Sequence, residues 1–419
     1  MTIMIHSVTV MIPLDTHYGV ARSQWLKESS AYLAQRLLKG ESMVYLDAAA
    51  TTELLPGALD AMLPFLGTMF GNPSSRHPGG VEVRVAVEHA RSIVAGYLWA
   101  RSGEIVFTAS GTESVNLAFQ CALARNDLPI VVSAAEHSCV LDAAEAWRGR
   151  GRRVVALPIG ASGYPEPEAL ERVLANLGPS FVSLIWVNNE TGIISPVADL
   201  TQVCTQHGAL LHLDAVQAAT HLAVDVGHVD CHFLSFSAHK FHGPKGCGIL
   251  FLRSSAPRSA QIPGHQEAGL RGGTENVPAI VGTGEALAAQ SSMADQLDRC
   301  ANLRDAFEHG VLKAIPGAAV NGAAGPRTAT ISNIHFPGCD AAEMVAALGR
   351  CGVWASAGAA CSNGGSPSHV LLAMGLGPRV ANESVRFSFS PRTSIDDMNE
   401  VVTAVARAQS MVSLLGRFA

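Results

Sequence analysis

The chain has 419 residues, 48% of them hydrophobic and 15% charged, and its 29 basic and 35 acidic side chains leave a net charge of −6. This composition excludes an intrinsically disordered chain and gives no reason to expect an obligate nucleic-acid binder. No apolar run reaches the roughly 18–20 residues of a membrane span.

At roughly 100–200 residues per domain, two or three domains are expected, with enough apolar surface to fold without a disulfide or metal staple. The nine cysteines are odd in number, and no pair is spaced C-x-x-C. That argues against a disulfide framework and against zinc held by paired cysteines. A reducing cytosol with most thiols buried as small apolar groups is the plain reading.

Residues 1–42 lack the charged start, apolar stretch and cleavage site of a secretory signal. Ser23 to Lys39 has the spacing of a mildly amphipathic helix, with Trp25, Leu26, Tyr32, Leu33, Leu37 and Leu38 as its apolar members. A strand-like start follows at Val44-Tyr45-Leu46.

From Val81 onward, helical and strand patterns alternate. Helices are expected over Val81–Gly96, Glu113–Ala124, Val140–Arg148, Pro167–Leu177 and Asp199–His207. Strands are expected over Glu104–Thr108, Pro129–Ser133, Arg153–Leu157, Ser180–Val187, Ala209–Leu213, Cys231–Ser235 and Lys245–Leu252. Such alternation implies βαβ units and a mostly parallel sheet, with ligands at the carboxyl ends of its strands. Near residue 290 the composition changes. A polar helix over Met293–Leu312, strands over Thr328–Phe336 and Arg386–Phe389, and helices over Ala341–Gly349 and from Ser394 read as a smaller α+β domain.

Five strand-end features carry chemistry. Lys240, in Ser235-Phe-Ser-Ala-His-Lys240, follows an apolar strand among small and polar residues. That setting suits a Schiff base to an aldehyde cofactor, with Ser237 and His239 beside a phosphate. Taken alone, an exposed loop lysine is the plainer reading. Asp214 ends a buried strand, where a carboxylate needs a cationic partner or serves as a helix cap. Thr108 to Glu113 turns from strand to helix. It is either a phosphate site at a helix N-terminus or an ordinary capping box of Ser110 with Glu113. His137 reads equally as a ring-stacking or acid–base group and as a satisfied core histidine. Asn188 and Asn189 suit a ring hydroxyl or a simple turn. Together these features describe a site for pyridoxal phosphate.

From about Tyr45 to the end, the chain resembles the cysteine desulfurases of the NifS/IscS kind, which are fold-type I pyridoxal-phosphate enzymes of the class V aminotransferase family. The resemblance rests on Tyr45-Leu-Asp-Ala-Ala-Ala-Thr-Thr52, Gly71-Asn-Pro-Ser-Ser75, Ser110-Gly-Thr-Glu-Ser114, Glu136-His137, Val187-Asn-Asn-Glu190 and Asp214-Ala-Val-Gln217. It continues through Ser235 to Lys240, Arg271-Gly-Gly-Thr-Glu-Asn276, Ser356 to Ser362 and Ser384-Val-Arg-Phe387.

The resemblance implies a large domain over 57–300 with a mostly parallel seven-stranded sheet, and a small domain from 43–56 and 301–419. It implies that Lys240 bonds the cofactor and moves protons, Asp214 pairs with the pyridine nitrogen, and Gln217 and Asn189 contact the ring hydroxyl. His137 would stack on the ring and assist proton transfer. Gly111, Thr112, Ser237 and His239 would bind the phosphate. Thr274 would reach the phosphate of a second subunit, hence a homodimer. Arg386 would clamp the substrate carboxylate.

Cys361, within a run of small residues, would accept sulfur from L-cysteine as a persulfide and leave alanine. The sulfur would pass to an acceptor protein for iron–sulfur clusters, tRNA thiolation or DNA phosphorothioation, in the cytoplasm. The cysteine run departs from the family pattern, with Ala-Gly-Ala-Ala-Cys-Ser where Ser-Gly-Ser-Ala-Cys-Thr is usual, and Gly269-Leu-Arg-Gly-Gly-Thr replaces Arg-Ser-Gly-Thr. A selenocysteine lyase, another lyase or aminotransferase of the same fold, and a non-catalytic scaffold are the competing readings. Cys361 argues against an aminotransferase, and the intact Lys240, Asp214, His137 and Arg386 argue against a scaffold.

Overall fold

Near-continuous apolar runs form the central strands, because both faces of their sheet are covered. The computed structural model describes residues 43–290, 294–358, 367–395 and 398–415. The expected helix over 23–39 therefore lies outside the described residues.

In chain order the first half holds β1 (Val44–Tyr45), α1 (Pro56–Leu66), α2 (Pro78–Tyr97), β2 (Ile105–Thr108), α3 (Gly111–Leu123), β3 (Ile130–Ser133), α4 (Ser138–Arg148) and β4 (Val154–Leu157). It continues with α5 (Pro167–Leu177), β5 (Phe181–Ile185), α6 (Val197–Gln206), β6 (Leu210–Asp214), β7 (Phe233–Ser237) and β8 (Gly248–Leu252). Strands β2 to β8 make one seven-stranded sheet in the order β2-β8-β7-β6-β5-β3-β4. Strand β8 is antiparallel to both neighbours, and every other pairing is parallel. The mostly parallel sheet expected from the sequence is present.

Alternation along each strand feeds two cores. Val131, Val182, Leu184, Leu211, Leu213, Ile249 and Phe251 join the cluster that includes α1, α2 and α6 residues. Ile130, Val132, Phe181, Phe233, Leu250 and Leu252 join the cluster under α3 and α4. On this second face, polarity rises along the strands. Phe181 and Phe233 lie at the amino ends, their rings 6.1 Å apart and edge-to-face. One step on, His212 Nδ1 meets Ser183 Oγ at 2.8 Å and its Nε2 meets Ser235 Oγ at 2.8 Å. One step further are Ile185, Asp214 and Ser237 at the carboxyl ends.

The second half holds α7 (Val277–Gln290), α8 (Ala294–Ala314), β9 (Ala319–Val320), β10 (Ile331–His335), α9 (Ala341–Arg350) and β11 (Val353–Trp354). After these come α10 (His369–Ala373), α11 (Pro378–Asn382), β12 (Ser384–Ser388) and α12 (Met398–Leu415). A three-stranded antiparallel sheet runs β12-β10-β9, and β1 pairs in parallel with β11. Leu46 joins Phe307, Phe336, Phe387 and Phe389 in a separate apolar cluster, so the start of the described chain packs with its end.

Boundaries differ from the sequence expectation where turns intrude. Strand β7 begins at Phe233 rather than Cys231, after Arg253 ties off the carbonyls of Val226, Val229 and Cys231. Strand β8 begins at Gly248 rather than Lys245, because Gly246 turns through φ +82. Helix α7 carries no polar stripe to betray it. Its small and apolar residues are buried around most of its circumference, against α1 and α2.

His212 is fully buried, and burial lowers its pKa to about 3. The unfolded chain therefore takes up a proton below about pH 6.5 that the folded chain refuses, and stability falls as pH falls through this window. We expect this group to cost about 2 kcal/mol between pH 7 and pH 5. Urea unfolding at both pH values checks this, and His212→Gln should reduce the difference by about 2 kcal/mol, leaving the part due to His221 and His239, whose pKa values burial also lowers to about 4. An equal fall in both proteins would exclude His212 as the cause.

Candidate active site

A cavity of about 210 Å³ opens at the carboxyl ends of β5, β6 and β7, where side chains leave the sheet. Gly111, Thr112, His137, Asn189, Asp214, Gln217, Ser237, His239, Lys240 and Arg386 all line it. Two expected residues stand apart. Thr274 is exposed and does not line the cavity. Cys361 lies outside the described residues.

Lys240 closes the single helical turn Ala238–Lys240 that follows β7. Its Nζ donates to the carbonyl oxygens of Ala49 and Ala50, at 2.6 and 2.8 Å. Gln217 Nε2 donates to the same Ala49 carbonyl at 2.9 Å. The ammonium is therefore held in the cavity wall, not on a surface loop.

Asp214 is the last residue of β6 and is 3% exposed. Its Oδ1 accepts the Val216 N–H at 3.0 Å. Burial pushes this carboxyl above its usual range. The helix-cap alternative fails, since no α-helix starts at residue 215. A cation in the cavity would offset the cost of the buried charge.

The turn before α3 is both a cap and a cradle. Ser110 Oγ accepts the Glu113 N–H at 3.1 Å. The Glu113 carboxylate does not return to the Ser110 N–H as a capping box would. It accepts the Ala109 N–H at 2.7 Å and Arg271 Nε at 2.8 Å. The α3 N-terminus at Gly111 and Thr112 therefore faces the cavity with the positive end of its dipole. A Cβ on Gly111 would lie 3.0 Å from Val216 Cγ2 and 3.3 Å from Ser237 Cβ, so glycine keeps the floor open. His239 completes this end, with Nδ1 3.1 Å from Thr51 Oγ1 and its pKa lowered to about 4, first by burial and then by Lys240.

His137 is not a core histidine. It caps α4, its Nδ1 accepting the Cys139 N–H at 3.2 Å, which directs the ring proton of the neutral form to Nε2. Burial lowers its pKa. Beneath it, Glu136 is fully buried; Oε1 accepts the Ile185 N–H at 2.7 Å and Oε2 has no partner. Burial, then Asp214, pushes the Glu136 carboxyl well up.

The two asparagines divide the turn and cavity roles. Asn188 is spent on the turn: Oδ1 accepts the Glu190 and Thr191 N–H groups and Nδ2 donates to the Ala135 carbonyl. Asn189 lines the cavity.

Arg386, central in β12, is 1% exposed. Its Nη2 donates to Asp47 Oδ1 at 2.8 Å and its Nη1 to the Asn189 carbonyl at 2.9 Å. Its buried Nε has no partner. Arg386 also lines the cavity, and a guanidinium there suits a carboxylate.

Sequence reasoning left several contributors without a role. Asp47 holds Arg386 and also accepts from Ser356 Oγ at 2.8 Å. The Ala49 and Ala50 carbonyls offer no sequence signal at all. Arg271 and Glu113 are 158 residues apart, so their pairing was equally invisible. Of the eight described cysteines, all unpaired, six are buried as expected; Cys139 and Cys351 are half-buried, and Cys139 borders the cavity.

The aminotransferase class-V family model matches residues 44–401. A cysteine desulfurase of Gluconacetobacter diazotrophicus is 41% identical over 369 residues, covering 86% of this chain and 91% of that protein. A solved NifS-like protein superposes with a TM-score of 0.81 at 30% identity, over 89% of this chain and all of that one. SspA, solved in complex with cysteine, superposes with a TM-score of 0.73 at 32% identity, over 84% of this chain and 100% of its own.

Removing one partner of a buried pair leaves an uncompensated charge. Asp47→Ala should therefore lower the unfolding free energy by about 3 kcal/mol, read by urea denaturation at pH 7. Wild-type stability would mean that the Asn189 carbonyl alone suffices to hold Arg386.

Proposed function

The chain belongs to the class-V aminotransferases and, among them, to the cysteine desulfurases, and we propose that Lys240, Asp214, His137, Arg386 and Cys361 carry its conversion of L-cysteine to alanine. The convergence of Lys240, Asp214 and Arg386 on one cavity supports this reading most directly.

The cavity fits pyridoxal 5′-phosphate. The open floor at Gly111 and the α3 N-terminus suit its phosphate, with Thr112, Ser237 and His239 around it. Asp214 is a buried carboxylate in want of a cation, which suits a pyridine N–H. Gln217 and Asn189 suit the ring hydroxyl, and His137 the ring face. When bound, this cofactor supplies an electron sink that acidifies the substrate α-carbon. Lys240 would hold it covalently through Nζ at rest.

The protein's own groups do the rest. Arg386, which lines the cavity, binds and orients the substrate carboxylate. Lys240 Nζ takes the proton from the α-carbon. His137 exchanges protons nearby. The Cys361 thiolate attacks the substrate sulfur; an S–S bond forms as the Cβ–S bond breaks, and the bond's electron pair stays with carbon. Protonation of that carbon and return of a proton to the α-carbon by Lys240 give alanine, and Cys361 retains the sulfur as a persulfide. An acceptor protein then removes this sulfur, for cluster assembly, tRNA thiolation or DNA phosphorothioation.

We read the chain as a homodimer in which Thr274 reaches the second subunit's cofactor phosphate. Its exposure outside its own cavity supports this, as does the Arg271–Glu113 pair that steadies its turn. The separate apolar cluster of Leu46 with Phe307 to Phe389 supports a small domain of 43–56 and 301–419 beside a large one of 57–300. The unpaired thiols of the described cysteines support a cytoplasmic setting. No helix among the described residues is long and apolar enough to cross a membrane.

Alanine and sulfide released from L-cysteine in the presence of a thiol reductant test the reading. Wild type should yield both in equal amounts. Cys361→Ala should lose sulfide release, and Lys240→Ala should lose turnover altogether. Sulfur transfer that survives Cys361→Ala would refute the role of that thiol.

A further inference from the structure

Glu190 lies outside both the turn and the cavity roles of its neighbours. It is 1% exposed and does not line the cavity. Its backbone is fixed: the N–H donates to Asn188 Oδ1 at 2.9 Å, and the carbonyl accepts Asn333 Nδ2 at 3.2 Å. Its carboxylate points elsewhere. Ser368 Oγ donates to Glu190 Oε2 at 2.6 Å, a short charge-assisted bond. The same oxygen lies 3.5 Å from where a Cβ on Gly358 would stand, and Gly358 adopts φ +61.

Gly358 and Ser368 flank residues 359–366, among which Cys361 falls. Each flank is anchored independently. On the first side, Ser356 and Arg386 exchange backbone hydrogen bonds at 3.1 and 2.8 Å, and Ser356 Oγ donates to Asp47. On the second side, Ser368 Oγ caps α10 by accepting the Leu371 N–H, and His369 Nε2 meets the Glu136 carbonyl at 2.9 Å. One carboxylate oxygen thus sits where the two flanks meet.

We infer that Glu190 is a positioning residue: through Ser368 and against Gly358 it holds the two flanks of the Cys361 segment together beside the cavity, so that sulfur transfer depends on it while cofactor and substrate binding do not. This rests on the reading of Cys361 as the sulfur acceptor. The physical logic is that of proximity. Fixing the separation of the two flanks is such a constraint, and a misplacement of about 1 Å costs up to about a hundredfold in rate.

The test uses the full-length, cofactor-loaded enzyme with L-cysteine. Glu190→Ala and Ser368→Ala should each slow single-turnover persulfide formation about tenfold. In both, the visible absorbance of the bound cofactor, its change on adding L-cysteine, and KM should stay within about twofold of wild type. Glu190→Gln should recover most of the rate, because its amide oxygen still accepts from Ser368. The double variant Glu190→Ala with Ser368→Ala should be no slower than either alone. Wild-type persulfide formation in Ser368→Ala overturns the inference, even if Glu190→Ala fails to fold. So does loss of cofactor absorbance in Ser368→Ala, which would mark the pair as general support for the fold. Failure of the underlying reading shows up separately, as sulfur transfer that survives Cys361→Ala.

Discussion

A guanidinium as buried as that of Arg386 requires an anion nearby, and Asp47 supplies it. That requirement ties together parts of the chain that are far apart. Asp47 belongs to the segment after β1, Arg386 to β12, and the second acceptor, the Asn189 carbonyl, to the turn after β5. Once Asp47 is held, the carbonyls of Ala49 and Ala50 fall where Lys240 and Gln217 reach them. Ser388 adds its own hold, with Oγ accepting the Ala49 N–H at 2.8 Å. Thr52 then accepts the His242 N–H and donates to the His239 carbonyl, which fixes the turn that carries Lys240. The position of Lys240 thus depends on the Arg386–Asp47 ion pair.

The sheet imposes the second constraint. Side chains two residues apart share a face, so the face that buries Phe181 and Phe233 must also present Ile185, Asp214 and Ser237 at the strand ends. Polar groups that enter such a face must be satisfied on the way. The Ser183–His212–Ser235 chain does this, using both imidazole nitrogens across three adjacent strands. It lets the interior change from aromatic to polar within about two residues of each strand, without an unpaired group in that layer.

Charge is sparse around the cavity and each charged group has a distinct setting. Asp214 is buried with one backbone partner, Glu136 has its carboxyl pushed up by burial and by Asp214, and Glu190 is spent on Ser368. Of the three carboxyls near His137, only Asp214 faces the cavity. A cationic ring would find a single anionic partner there, which favours one orientation over others.

Much of this was legible in the sequence because it is local. Near-continuous apolar runs separated by helical stretches specify strands, helices and the sheet's mostly parallel character. Strand ends followed by Asp214, Lys240, His137 and Gly111-Thr112 pointed to the residues that come together around one cavity. Asn188 and Asn189 were separable only after folding, when one side chain turned inward to the turn and the other to the cavity. Whether Glu113 completed a capping box or reached Arg271 was equally undecided, because a local and a distant partner compete for the same carboxylate. The pairings of Asp47 with Arg386, Arg91 with Glu267 and Glu190 with Ser368 carry no sequence signal, since each joins residues more than 170 positions apart. Local periodicity follows from covalent geometry and therefore shows in sequence. Which buried charge meets which depends on how separate elements pack, and only the tertiary structure decided that.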